Sequence, residues 1–94
     1  MAAYVIAEVE VTNPEGYEAY RTQVPATLEQ YGGTYVVRGG AIDSLEGESA
    51  GRMVILQFAD VAAAKRWYNS PEYQAIVGTR HANSTGRLTL VEGV

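Results

Sequence analysis

The chain contains no cysteine and only one histidine, His81, among its 94 residues. Without cysteine there is no disulfide framework, no thiolate nucleophile and no sulfur-ligated metal. A single histidine with scattered carboxylates does not form a set of metal ligands either, so neither a metal site nor a cofactor is predicted. Phosphate-loop, dinucleotide-binding and serine-nucleophile motifs are also missing, which leaves the common enzyme classes without a signal in the sequence.

Basic side chains are outnumbered, with seven lysines and arginines against eleven aspartates and glutamates and a net charge of −4. They are spread along the sequence without a basic run. Because a negative net charge repels polyphosphate unless basic groups cluster, neither nucleic acid nor an anionic membrane is an expected partner. The first residues show no basic region followed by a long apolar run, so the expected location is the cytoplasm.

The composition predicts a single folded domain that spans residues 1–94. Hydrophobic residues make up 47% of the chain and charged residues 19%, as in ordinary globular proteins, and no linker, repeat or low-complexity run interrupts it. A domain of this length buries only about 60–65% of the surface of its unfolded chain, so a partner surface would stabilise it further.

Four segments show the apolar periodicity and the flanking turn residues that predict β-strands. A segment rich in small residues, 41–45, is expected to extend or decorate the second of them after a glycine pair. The four predicted strands are residues 3–11, 34–38, 52–59 and 87–92.

Two helical regions are predicted between these strands. The first begins at Asn13, which caps free backbone amides, is kinked by Pro25 and ends at Gly32. The second begins at Asp60 and consists of two pieces that join at Ser70. The order strand, helix, strand, strand, helix, strand predicts an α+β, ferredoxin-like βαββαβ fold, a four-stranded antiparallel sheet with both helical regions on one face.

The third strand is apolar on both sides, since Val54, Leu56 and Phe58 point one way while Met53 and Ile55 point the other. Such a strand needs two covers, and the helices supply only one. The second cover is therefore predicted to be another copy of the chain. The predicted helix-facing residues are Val5, Ala7, Val9, Val54, Leu56, Phe58, Leu88 and Leu90, and the opposite face is predicted to carry Tyr4, Ile6, Glu8, Val36, Arg38, Met53, Ile55, Gln57 and Thr89.

Several short motifs resemble one known family over essentially the whole chain. They are Arg38-Gly39-Gly40, then Leu45-Glu46-Gly47, then the run from Trp67 to Gln74 with Arg80 after it. The chain resembles the family known as domain of unknown function 1330. The resemblance implies a homodimer of the dimeric α+β barrel type, in which two ferredoxin-like sheets pack face to face, and it implies no established reaction. Members commonly carry a glutamate where this chain has Gln57, which cannot act as a general acid or base.

Three polar side chains are candidates for chemistry. The planar guanidinium of Arg38 is suited to gripping a ligand carboxylate, and the alternative is a structural ion pair with Glu8 or Asp43. Glu8 is a candidate proton acceptor if it is desolvated, and an inert spacer if Arg38 or Gln57 donates a hydrogen bond to it. His81 is a candidate proton carrier, and the alternative is that it complements a helix end or faces solvent.

Aromatic side chains are numerous and are candidates for lining a pocket. Tyr4, Tyr35 and Trp67, together with Gln57 and Arg38, form the predicted ligand-binding set. Three hypotheses remain open at this point. The leading one is a homodimer that binds a small, anionic organic ligand in a cavity between its sheets and helices. The second is a cofactor-independent enzyme of the isomerase or monooxygenase type, and the third is a structural or regulatory dimer without a pocket.

Overall fold

The strands and helices follow one another in the predicted order. A computed structural model describes every residue from Met1 to Val94. Its elements are β1 (Ala3–Val11), α1 (Pro14–Arg21), α2 (Val24–Tyr31), β2 (Thr34–Arg38), β3 (Arg52–Phe58), α3 (Val61–Tyr68), α4 (Pro71–Asn83) and β4 (Ser84–Glu92).

The four strands form one antiparallel sheet in the order β2-β3-β1-β4. Strand β1 lies between β3 and β4, and Ala7 at its middle pairs with Val54 on one side and Leu88 on the other. The helices pack on one face of the sheet, because the buried apolar residues of the strands all point that way. The predicted ferredoxin-like α+β fold is confirmed.

The helices begin at the predicted capping residues. Asn13 accepts a hydrogen bond from the backbone amide of Gly16 at 3.4 Å, and Asp60 accepts one from Ala63 at 2.8 Å. The hydroxyl of Ser70 accepts one from the amide of Tyr73 at 3.1 Å. Each cap satisfies an amide that would otherwise lack a partner in the first helical turn.

The first helical region is two helices and not one kinked helix. Thr22 and Gln23 separate α1 from α2, and Pro25 lies in the first turn of α2, where its missing amide hydrogen costs nothing. Gly32 ends α2 in the left-handed conformation, with φ 78°. At Gly33 an added Cβ would overlap the side chains of Leu28 and Phe58, so the chain needs a glycine there to enter β2.

Two strand boundaries differ from the prediction by more than one residue. Residues 41–45 do not extend β2, because Gly39 turns the chain away from the sheet at φ 67° and residues 39–51 then form an irregular, mostly exposed loop. Strand β4 begins at Ser84 and not at residue 87, because Ser84 and Thr85 pair with the end of β1. Polar residues can occupy this end of the strand because Thr85 is exposed and the buried hydroxyl of Ser84 donates a hydrogen bond to the carbonyl of Arg80 at 2.6 Å.

The core lies between the sheet and the helices and is centred on Trp67, Tyr73 and Phe58, all at most 1% exposed. The Trp67 ring centroid lies 4.1 Å from that of Tyr73 and 5.5 Å from that of Phe58. The predicted helix-facing residues of the strands all belong to this core or pack against it. None of the helices combines the length and the apolar character that a bilayer crossing requires.

The opposite face of the sheet has no cover within the chain. Nineteen residues are buried, and none of them belongs to this face. The molecule is accordingly a two-layer slab with extents of 31 × 30 × 16 Å. We call this uncovered surface the open face; at its centre it carries Ile6, Val37, Met53 and Ile55.

Candidate functional site

A cavity of about 40 Å³ lies between the helices and the middle of the sheet. Ala7 of β1 lies at its floor. The residues paired with Ala7 on the two neighbouring strands, Val54 and Leu88, have larger side chains. A methyl group at the centre of the covered face leaves space that a larger side chain would fill. The remaining apolar and aromatic lining comes from Leu56 on the sheet and from Tyr17, Tyr20, Val24 and Trp67 on the helices, with Tyr35 at the side.

Four arginines line this cavity, and no carboxylate does. Arg21 comes from α1, Arg38 and Arg52 come from β2 and β3, and Arg80 comes from α4. The expectation that the basic residues do not cluster is therefore wrong in space. The expectation considered only the distances between the basic residues along the sequence. In the fold, α1, α4 and the β2–β3 pair contribute these arginines to the lining of one cavity.

Arg52 and Arg80 each have a buried Nε atom without a hydrogen-bond partner. The chain's two side-chain ion pairs join Arg21 to Glu18 and Arg87 to Glu8, so neither Arg52 nor Arg80 is paired with a carboxylate. Arg80 is only 7% exposed, and its Nη2 atom lies 3.2 Å from the ring Nε2 of His81. A buried cation without an anionic partner is costly, because it loses hydration and gains no opposing charge.

Arg38 lies on the covered face of the sheet, and the prediction that it lies on the opposite face is wrong. The ladder between β2 and β3 slips at Val36: Tyr35 pairs with Leu56, while Val37 pairs with Ile55 and Arg38 with Val54. This β-bulge inserts one residue and reverses the side on which later residues point. As a result both Tyr35 and Arg38 face the cavity, with the Arg38 guanidinium carbon 4.3 Å from the Tyr35 ring centroid.

Two tyrosines of the cavity lining, Tyr20 and Tyr35, are held in their protonated form. Tyr20 and Tyr73 share a buried hydrogen bond of 2.8 Å between their hydroxyl oxygens. Burial raises the pKa of Tyr20, and the neighbouring Tyr73 hydroxyl raises it further. Burial likewise raises the pKa of Tyr35 despite the nearby arginines. At neutral pH these phenols can donate hydrogen bonds to an anion but are poor proton acceptors.

Trp67 presents only its ring to the cavity. Its indole nitrogen donates to the hydroxyl of Thr27 at 3.0 Å, and that hydroxyl donates to the carbonyl of Val24 at 2.7 Å. The indole is therefore hydrogen-bonded already and contributes an apolar wall.

The other predicted site residues lie outside the cavity. Tyr4 and Gln57 are register partners on the open face. Glu8 also lies on the open face, where its carboxylate is 3.8 Å from the Nε of Arg87 and not beside Arg38. His81 is exposed in the last turn of α4. Of the predicted ligand-binding set, the structure brings together Arg38, Tyr35 and Trp67, and it separates Tyr4 and Gln57 from them by the thickness of the sheet.

Sequence reasoning missed three of the four arginines, and for Arg52 and Arg80 the signal was present. Arg52 has the same strand parity as Val54 and Leu56, which places it on the covered face. Arg80 continues the apolar stripe of α4 that contains Tyr73 and Val77. A charged residue at an apolar position of a helix or strand is the pattern that would have identified both.

The family model described as Domain of unknown function (DUF1330) matches residues 2–94. The chain belongs to this family. The resemblance inferred from the sequence motifs is thereby confirmed over the whole length of this DUF1330 protein. No curated protein matches its sequence.

Solved structures share the fold of this DUF1330 protein at low sequence identity. A protein of unknown function from Rhodopseudomonas palustris is 23% identical, with a TM-score of 0.80, over 99% of this chain and 82% of that one. SnoaB, a cofactor-independent oxygenase from Streptomyces nogalater, is 16% identical, with a TM-score of 0.69, over 99% and 93%. A dimeric ferredoxin-like protein of unknown function from Jannaschia sp. is 14% identical, with a TM-score of 0.68, over 100% and 99%. Identities this low support the fold and not a shared activity.

Replacing Arg80 by methionine is expected to stabilise this DUF1330 protein in the absence of ligand. The substitution Arg80→Met removes a buried, unpaired charge and keeps most of the side-chain volume, so the free energy of unfolding should rise by about 1–4 kcal/mol. Urea unfolding followed by tryptophan fluorescence measures the change. Arg66→Met, at an exposed position of α3, is the matched control and should change stability by less than about 0.5 kcal/mol. A marked loss of stability in Arg80→Met would show that Arg80 is satisfied in the free protein.

Proposed function

We propose that the protein is a homodimer that binds a small organic anion, with the anionic group in the arginine-lined cavity of each chain. The observation that carries this proposal is the pair of buried, unpartnered Nε atoms of Arg52 and Arg80. Buried polar groups in folded proteins are almost always hydrogen-bonded, so an unpaired one needs an explanation. An anion that enters the cavity would accept these hydrogen bonds and neutralise the charge.

A carboxylate is the anion that best fits the site. Guanidinium groups bind carboxylates through two parallel hydrogen bonds, and Arg38, Arg52 and Arg80 offer such groups from two strands and a helix. No acidic side chain in the lining competes for them. The protonated hydroxyl of Tyr20 can serve as a further donor, while the aromatic and aliphatic walls suit the carbon atoms next to the carboxylate.

The lining favours binding over proton-transfer catalysis. The enzyme hypothesis requires a proton acceptor and a guanidinium in one cavity, yet Glu8 lies on the open face and His81 is exposed outside the cavity. Among the tyrosines of the lining, Tyr20 and Tyr35 have raised pKa values and keep their protons at neutral pH. The fold is similar to that of an oxygenase, but the cavity contains no side chain suited to act as a general base.

Propanoate is expected to stabilise the protein and propanamide is not. The two molecules have nearly the same shape, but only propanoate carries the charge that the arginines lack. At ten times its dissociation constant propanoate should add about 1.4 kcal/mol to the free energy of unfolding, which a thermal-shift assay detects. In Arg80→Met and Arg38→Ala the dissociation constant should rise by about tenfold or more, because charge-assisted hydrogen bonds are lost.

Arg66→Met is the control for the general effect of removing a positive charge, and it should bind propanoate like the wild type. Equal shifts with propanoate and propanamide would show that charge plays no part. The absence of any shift with carboxylates in the wild type would contradict the proposed function.

The open face supports the proposal of a homodimer. Its centre carries Ile6, Val37, Met53 and Ile55, which are half-buried within one chain and apolar enough to pack against a second sheet. Glu8 and Arg87 lie side by side on the same face, so a twofold axis can place Glu8 of one chain opposite Arg87 of the other. A protein of the same fold is described as dimeric, which supports this arrangement.

Ile55→Glu is expected to convert the dimer to monomers or to aggregates, because it places an unpaired charge in the centre of the sheet-to-sheet contact. Sedimentation equilibrium at micromolar concentration should give about twice the mass of one chain for the wild type. Ala62→Glu adds the same charge at an exposed position of α3 and should remain dimeric. A wild type that sediments as a monomer under these conditions would rule out the dimer.

A further inference from the structure

We propose that the ligand is an elongated carboxylate whose apolar chain leaves the arginine-lined cavity past Leu88 and lies in a groove between β4 and α3. This proposal rests on the proposed function and specifies the class of anion. The groove has a volume of about 560 Å³ and is lined by Val5, Leu88 and Leu90 on the sheet and by Tyr68 and the side chains next to it on α3.

The cavity alone is too small to enclose an elongated carboxylate, so such a ligand needs a second compartment. A cavity of about 40 Å³ holds roughly three water molecules, since each needs about 10–15 Å³. It can therefore enclose a carboxylate and an adjoining carbon but not the body of an organic molecule. Pockets that bind organic ligands usually measure about 300–1,000 Å³, and the groove falls in that range whereas the cavity does not.

The groove continues the cavity along the same strands. Ala7 lines the cavity, and Val5, the next residue of β1 on the covered face, lines the groove. On β4, Leu88 lines both spaces, and the following covered-face residue, Leu90, lines the groove alone. Leu88 is thus the wall between the two compartments. Its side chain belongs to an edge strand and is only half-buried, so a change of rotamer can open the wall without moving the core.

The polarity of the surroundings favours this direction for an apolar chain. The groove is lined by three aliphatic side chains and Tyr68, and its polar lining consists of Lys65, Asn69 and Thr89. A second depression adjoins the cavity past Tyr35 and Arg38, but it is lined mainly by polar residues and glycines and includes the carboxylate of Glu29. The hydrophobic effect therefore directs an alkyl chain toward Leu90.

A series of straight-chain carboxylates tests the inference. Acetate, butanoate, hexanoate and octanoate are titrated into the intact protein by isothermal calorimetry. Beyond butanoate, the affinity of the wild type should rise by roughly fourfold for each methylene buried, which corresponds to about 0.8 kcal/mol per methylene. Acetate reports on the arginine-lined cavity alone.

Two variants locate the chain of the ligand. Leu90→Ser removes part of the groove floor without touching the cavity, and Leu88→Trp fills the passage between them. Leu90→Ser should bind acetate like the wild type, because Leu90 does not line the cavity, and in both variants the gain with chain length should disappear. Leu45→Ser, at a loop position 88% exposed, is the matched control and should keep the full gain.

An affinity that does not rise with chain length in the wild type would overturn the inference and leave the binding of small carboxylates in place. A rise that persists in either Leu90→Ser or Leu88→Trp would also overturn it, because the chain would then lie elsewhere. Failure of every carboxylate to bind the wild type would overturn the inference together with the proposed function.

Discussion

Guanidinium groups that lack a carboxylate partner impose the main constraint on this molecule. Arg52 and Arg80 hold buried Nε atoms without partners, in a protein whose two side-chain ion pairs involve neither residue. The free energy lost by burying such groups must be offset by the core or by an external anion. The same arrangement that weakens the unliganded chain gives the cavity its charge, so stability and affinity for anions oppose each other at Arg80.

The aromatic core keeps this cavity from collapsing. Trp67 stacks against Tyr73 and Phe58, and its indole nitrogen is tied to Thr27 of α2. The Tyr20–Tyr73 hydrogen bond joins α1 to α4 in the same way. Because these contacts fix the positions of the helices above Ala7, the space over that small residue stays open. The helices thus serve two purposes, covering one face of the sheet and holding arginines at the edge of the cavity.

Much of the fold could be predicted from the sequence because it depends on local patterns. The helix starts at Asn13 and Ser70 and the two apolar sides of β3 follow from capping chemistry and strand alternation. The site could be predicted only in part. The bulge at Val36 turns Arg38 toward the helices, and no glycine or proline marks it in the sequence. The cavity itself depends on how three neighbouring strands align Ala7 with larger residues, which is a property of the register and not of any one segment.

We infer that the arginines of the cavity are completed by an anion from outside the chain. Bromide is a small anion that can stand in for a carboxylate and that anomalous X-ray scattering locates in a crystal. A crystal soaked in bromide should show an anomalous peak beside the guanidinium groups of Arg52 and Arg80. A protein carboxylate found beside those groups, or a cavity that stays empty while surface sites fill with bromide, would contradict the account.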